Sequence, residues 1–200
     1  LNKVSRWLAG ALLYYKVKIN RSIQYHRNRY PNWQIPPNKL TMELFNNRQL
    51  AHIGAGLLKK KETIAVAESV TSGVLQFALS SIPDASLFYQ GGITAYNLGQ
   101  KYKNLSVEPL HARLVNCVSQ KVATEMALGI SKLYCSDWGI GITGYASPVP
   151  ESNNKVFAFY TIAYKSTIRI SGKISPRKTE PMLLQIKYVN EILEKLSTCL

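Results

Sequence analysis

The sequence predicts a layered α/β/α domain built on a mixed β-sheet, and three observations point there. The apolar run "TIAVA" (63–67) is hydrophobic on both faces, as a strand covered by helices on each side must be. Stretches with apolar residues three and four apart alternate with such runs. Late in the chain the alternation stops, and "KVFAFYTIAY" followed closely by "STIRISGKI" reads as an antiparallel hairpin before a last helix.

Taken in order, Leu50, Ile53, Leu57 and Leu58 form one face of a first helix, and "TIAVA" is the central strand. Helical period returns from Gly73 to Ser81 until "IPDAS" breaks it. "FYQGGITAY" is a second strand, in which Gly91 and Gly92 permit a bulge or a close backbone approach. Ser119 caps a helix whose Val122, Met126, Ile130 and Leu133 face the core. "DWGIGI" is the next strand. "KVFAFYTIAY" is apolar throughout and therefore interior, whereas "STIRISGKI" alternates as a strand near an edge does. Met182, Ile186, Val189, Leu193 and Leu196 line one side of the closing helix.

Composition narrows the function. The chain has 200 residues, 46% hydrophobic and 18% charged, enough for one core without disulfides. Three scattered cysteines with no C-x-x-C favour a reducing, cytoplasmic setting, and three dispersed histidines offer no metal constellation. The net charge of +14 is concentrated at one end: residues 1–41 hold eight Lys/Arg and no acid. This segment reads as a basic leader and linker, accessory to or foreign to the native fold, with residues 42–200 as the folded domain. Its nine-residue apolar run "WLAGALLYY" is far short of the ~20 that a membrane span requires, so no membrane association is expected. Nucleic-acid binding is expected, if anywhere, only through residues 1–41.

In sheets of this kind ligands sit beyond the carboxyl ends of strands, and "ESVTSG", "YNLGQK" and "TGYASP" fall at such ends. "GIGITG" matches the dinucleotide pattern G-x-G-x-x-G, but two prolines follow where a helix should open, so its glycines are expected to bare the backbone for a substrate instead. Ser69 stands where a nucleophile would, at a strand-to-helix junction where the N–H groups of Val70, Thr71 and Ser72 could meet an oxyanion. A lysine can serve as its base when desolvated, and Tyr96 with Lys101 five residues on could turn back toward it. Taken alone the pattern is ordinary, since serine at a helix start is usually a cap and a loop lysine usually faces solvent.

"TIAVAESVTSG", "FYQGGITAYNLGQK", "CVSQKVATEMALGI" and "GIGITGYASP" together resemble, in order and spacing, the CinA C-terminal domain family, which includes nicotinamide-nucleotide amidases. The resemblance runs from about Leu44 to Leu196. It implies an amidohydrolase converting nicotinamide mononucleotide to nicotinate mononucleotide and ammonia, metal-free and without a cofactor, assembled as a homodimer. It implies Ser69 as nucleophile and Tyr96 and Lys101 as the proton-handling pair. Glu68, Val70, Thr71, Ser72, Gly73, Thr143, Gly144 and Ala146 are the implied substrate-binding positions. Glu68 could orient Lys101 or a backbone N–H. The chain departs from the family pattern at Val70, at Ser72 (usually Gly), at Ser147 and in the shortened loop "VPESNNKV", and these departures bear on the substrate more than on the chemistry. The alternative is a catalytically degenerate module that binds a nucleotide or a protein and is tied to competence or DNA damage.

Overall fold

The computed structural model describes residues 44–200; the expected leader, residues 1–41, lies outside them. Helix α1 (Asn47–Lys60) opens at Asn46, whose side chain accepts from the Arg48 and Gln49 N–H groups, and stops at Lys61 in the left-handed region. Strand β1 (Ile64–Glu68) leads through a tight turn into α2 (Val74–Ser80), and a short 3-10 turn at Ala85–Leu87 precedes β2 (Tyr89–Thr94). Two helices follow, α3 (Leu98–Leu105) and α4 (Pro109–Leu114), neither of them expected, because eight and six residues are too few to display a period. Helix α5 (Gln120–Leu133) starts at Ser119 as read from the sequence, its hydroxyl accepting from the Val122 N–H. Strands β3 (Trp138–Tyr145), β4 (Phe157–Tyr164) and β5 (Thr167–Ile174) and helix α6 (Pro181–Cys199) complete the domain.

The five strands lie in the order β2-β1-β3-β4-β5. Strand β1 pairs in parallel with β2 and β3, while β4 and β5 add antiparallel, so the sheet is mixed as expected. Strand β1 is fully buried, as expected of a covered strand, but lies second in the sheet, with β3 in the middle; β4 is interior, and β5, like β2, is an edge. The extra residue of β2 falls beside Gly91, with φ of 121°, and a Cβ on Gly92 would come within 2.7 Å of the Val66 carbonyl. Bulge and close approach therefore both occur.

Alternation along β1 divides the core into two layers. Ile64 and Val66 face α1, α2 and α6, and Ala65 and Ala67 face α3, α4 and α5. Register aligns Ala65 with Gly139 and Ala67 with Gly141, a floor of small residues on which α5 lies very close. A Cβ at Gly139 would stand 2.2 Å from the Ala127 carbonyl, and one at Gly141 2.3 Å from that of Ala123. This corrects the reading of "GIGITG" at its first two glycines, which make room for a helix; at Gly144 a Cβ would meet the Phe157 carbonyl of β4 at 2.3 Å. Two expected core positions are also displaced. Leu133 is 52% and Met182 61% exposed, and the buried side of α6 is set by Leu184, Tyr188, Val189, Ile192, Leu193 and Leu196.

Candidate active site

The chain leaves β1 for β2 on one side of it and later returns to β3 on the other. That switch opens a crevice beyond the carboxyl ends of the parallel strands. A cleft of about 340 Å³ occupies it, lined among others by Ser69, Val70, Tyr96, Lys101, Thr143, Gly144 and Ala146. Ser69 is the first residue after β1, and Tyr96 stands two residues after β2. Lys101 is on α3 and not in a loop: Asn97 Oδ1 accepts from the Gln100 N–H at 3.0 Å, starting a helix whose first turn carries the lysine inward.

Lys101 is only 1% exposed. Its Nζ lies 2.9 Å from Ser69 Oγ, 2.7 Å from the Ala95 carbonyl and 3.3 Å from the Tyr96 carbonyl. Burial pushes the amine down to about 8, partly opposed by Cys117 nearby. Its place in the first turn of α3 acts in the same direction, since a helix start disfavours a cation. In the neutral amine two N–H bonds satisfy the two carbonyls, which turns the remaining lone pair toward Ser69 Oγ. What reaches Lys101 from Tyr96 is the main-chain carbonyl; the ring stands at the rim, 72% exposed.

Four expected binding residues do not line the cleft; they build the turn behind it. Glu68 is fully buried, and its carboxylate accepts from the N–H groups of Gly73 (3.1 Å), Leu75 (3.1 Å) and Gln76 (2.8 Å). Of the two roles left open for Glu68, the structure displays the backbone one: a carboxylate capping the start of α2. Ser72 and Gly73 both have positive φ, at 51° and 101°, which accounts for a glycine pair as the easier choice. The Ser72 N–H is bound to the Ser69 carbonyl at 3.3 Å, leaving those of Val70 and Thr71 among the candidate oxyanion donors. Thr71 Oγ1 is buried and, among the described residues, has no hydrogen-bond partner.

Several lining residues escaped sequence reasoning. Asn116 and Cys117 form a left-handed pair (φ 48° and 61°) between α4 and α5, a conformation with no pattern beyond the tolerance of asparagine for it. The Cys117 carbonyl accepts from Thr143 Oγ1 at 2.8 Å, and Asn116 Nδ2 donates to the Tyr145 hydroxyl at 3.1 Å. From the other layer, Gln185 Nε2 donates to the Val70 carbonyl at 2.9 Å and the Tyr188 hydroxyl to the Tyr145 carbonyl at 2.8 Å, so α6 secures both walls. Among the described residues no three side chains of His, Cys, Asp or Glu come together as a metal site, and no helix is long and apolar enough to cross a membrane.

Fold and site together define a three-layer α/β domain with a buried serine–lysine contact at its topological switch. The CinA C-terminal domain model matches residues 46–197, and the chain belongs to that family. A CinA-like protein of Prochlorococcus marinus (strain SARG) is 45% identical over 111 residues, 55% of this chain and 26% of the relative. One from Prochlorococcus marinus (strain NATL2A) is 39% identical over 139 residues, 68% of this chain and 32% of the relative. The chain thus spans between a quarter and a third of these curated relatives. Among solved structures, a competence-damaged protein (CinA) superfamily protein from Escherichia coli superposes with a TM-score of 0.73 at 25% identity, over 84% of this chain and 100% of that one. The Klebsiella pneumoniae 700603 member superposes at 0.71 with 22% identity, over 76% and 94% respectively, which speaks to the fold alone.

Proposed function

We propose that this domain hydrolyses a carboxamide, with nicotinamide mononucleotide as substrate, through Ser69 as nucleophile and Lys101 as base. The observation that carries the reading is the 2.9 Å contact between Lys101 Nζ and Ser69 Oγ in a setting where burial favours the neutral amine. Lys101 takes the Ser69 proton as Oγ attacks the carboxamide carbon. The turn after β1 offers its free N–H groups to the oxyanion. The C–N bond breaks as Lys101 returns the proton to nitrogen, releasing ammonia, and water activated by the same amine then hydrolyses the acyl-serine to the acid. Tyr96 contributes its carbonyl, which orients the amine, and its ring edges the entrance.

A second reading, a binding module of the competence/damage class without catalysis, is favoured by two observations. The Tyr96 ring is 72% exposed, and its hydroxyl makes no contact with Ser69 or Lys101, while the comparisons name a family and no reaction. Ammonia release from nicotinamide mononucleotide, its riboside and free nicotinamide separates the two. Turnover that drops at least ~1,000-fold in Ser69→Ala and Lys101→Ala, with folding intact, is expected of the hydrolase. Absence of turnover on all three compounds supports the binder.

A further inference from the structure

Register across β3, β4 and β5 sets Thr143 opposite Phe159 and Phe159 opposite Lys173, with Tyr145 opposite Phe157 in the next row. Residues directly opposite share a face of the sheet. Thr143 and Tyr145 are walls of the cleft, so this row leads from the cleft across the sheet to the edge strand. Helix α5 sits on this face at Thr161, the next position along β4, to which Gln120 and Thr124 hydrogen-bond, while Phe157 and Phe159 are only half-buried. The rings form a continuous strip, with centroids 5.4 Å apart for Tyr145–Phe157 and 5.7 Å for Phe157–Phe159. Lys173 Nζ lies over it, 4.0 Å from the Phe157 centroid and 5.4 Å from that of Phe159. Lys173 is exposed, and among the described residues no carboxylate pairs with it.

We infer that this strip is the outer half of the binding site and that Lys173 anchors the phosphate of a phosphomonoester whose carboxamide lies at Ser69. The inference rests on the hydrolase reading and adds the residue that holds its substrate's phosphate. Two strand spacings, roughly 10 Å, separate the Lys173 backbone from Thr143 at the cleft wall. A base–ribose–phosphate unit bridges such a span and a free base does not. Lys101, held neutral by burial and committed to Ser69 Oγ and the Ala95 and Tyr96 carbonyls, offers no charge to an anion. A phosphate therefore needs a cation from elsewhere, and the resting place of Lys173 on aromatic faces holds an exposed ammonium beside the strip without neutralising it.

The test compares wild type, Lys173→Ala and Lys173→Arg as full chains on nicotinamide mononucleotide and its riboside. The ratio of kcat/KM, nucleotide over riboside, is expected to fall about tenfold or more in Lys173→Ala through KM and to recover in Lys173→Arg. An unchanged ratio overturns the proposal. Binding of nicotinate mononucleotide, measured calorimetrically, gives a readout independent of turnover. Weaker binding by Lys173→Ala supports the anchor even where no ammonia is released, in which case the hydrolase reading fails alone; equal binding removes the anchor whatever the turnover.

Discussion

Lys101 is the residue on which the site's chemistry turns, and its burial makes it sensitive to pH in a defined sense. Its ammonium is disfavoured in the fold, so between about 8 and the ordinary lysine value of 10.5 the unfolded chain binds more protons than the folded one. The contribution of this group to stability therefore rises with pH across that window and is at its least favourable below pH 8. Denaturant midpoints measured from pH 7 to 10.5 should show a component of that sign, absent in Lys101→Met; an identical pH dependence in the two proteins contradicts the assigned burial. Thr71 makes a complementary case. Its hydroxyl is buried without a partner, so Thr71→Val, which keeps the shape, should leave stability unchanged or raise it by about 1 kcal/mol. A loss of about 2 kcal/mol or more, on the order of a buried bond to a charged group, would mean that the hydroxyl has a partner after all.

Among the elements, the contact of α5 with β3 sets the spacing of one layer. Gly141→Ala would place a methyl against the Ala123 carbonyl and should cost about 1–3 kcal/mol in chemical denaturation. Wild-type stability in that variant would mean that α5 does not rest on the floor of small residues. The strands were legible because their apolar runs exceed what a solvent-facing segment carries, and α5 because Ser119 and the stripe Val122, Met126 and Ile130 agree on one phase. Helices α3 and α4 were not: each is held by side-chain caps, Asn97 and Glu108, and by what it packs against, neither of which periodicity reports. The same limit hid half of the cleft. Ser69 and Lys101 stand in recognisable motifs, whereas Asn116 and Cys117 enter through positive φ and Gln185 through the packing of α6, which only the assembled layers determine.

At the scale of the whole molecule, a mixed sheet whose winding reverses at β1 brings residue 69 and residue 101, thirty-two positions apart, into buried contact at the floor of a crevice. The same topology carries an aromatic strip away from that crevice to a basic edge, so one face joins the reacting pair to a place for an anion. The proposed chemistry stands or falls with Ser69 as a nucleophile activated by Lys101, and this can be tested without knowing the substrate. Intact-mass measurement of labelling by a serine-directed fluorophosphonate, with the modified residue mapped, reads it out. A single adduct on Ser69 is expected, formed at a rate that climbs with pH around a midpoint near 8 and collapses in Lys101→Met. Labelling at Ser69 that is indifferent to Lys101, or none at any pH, would contradict it.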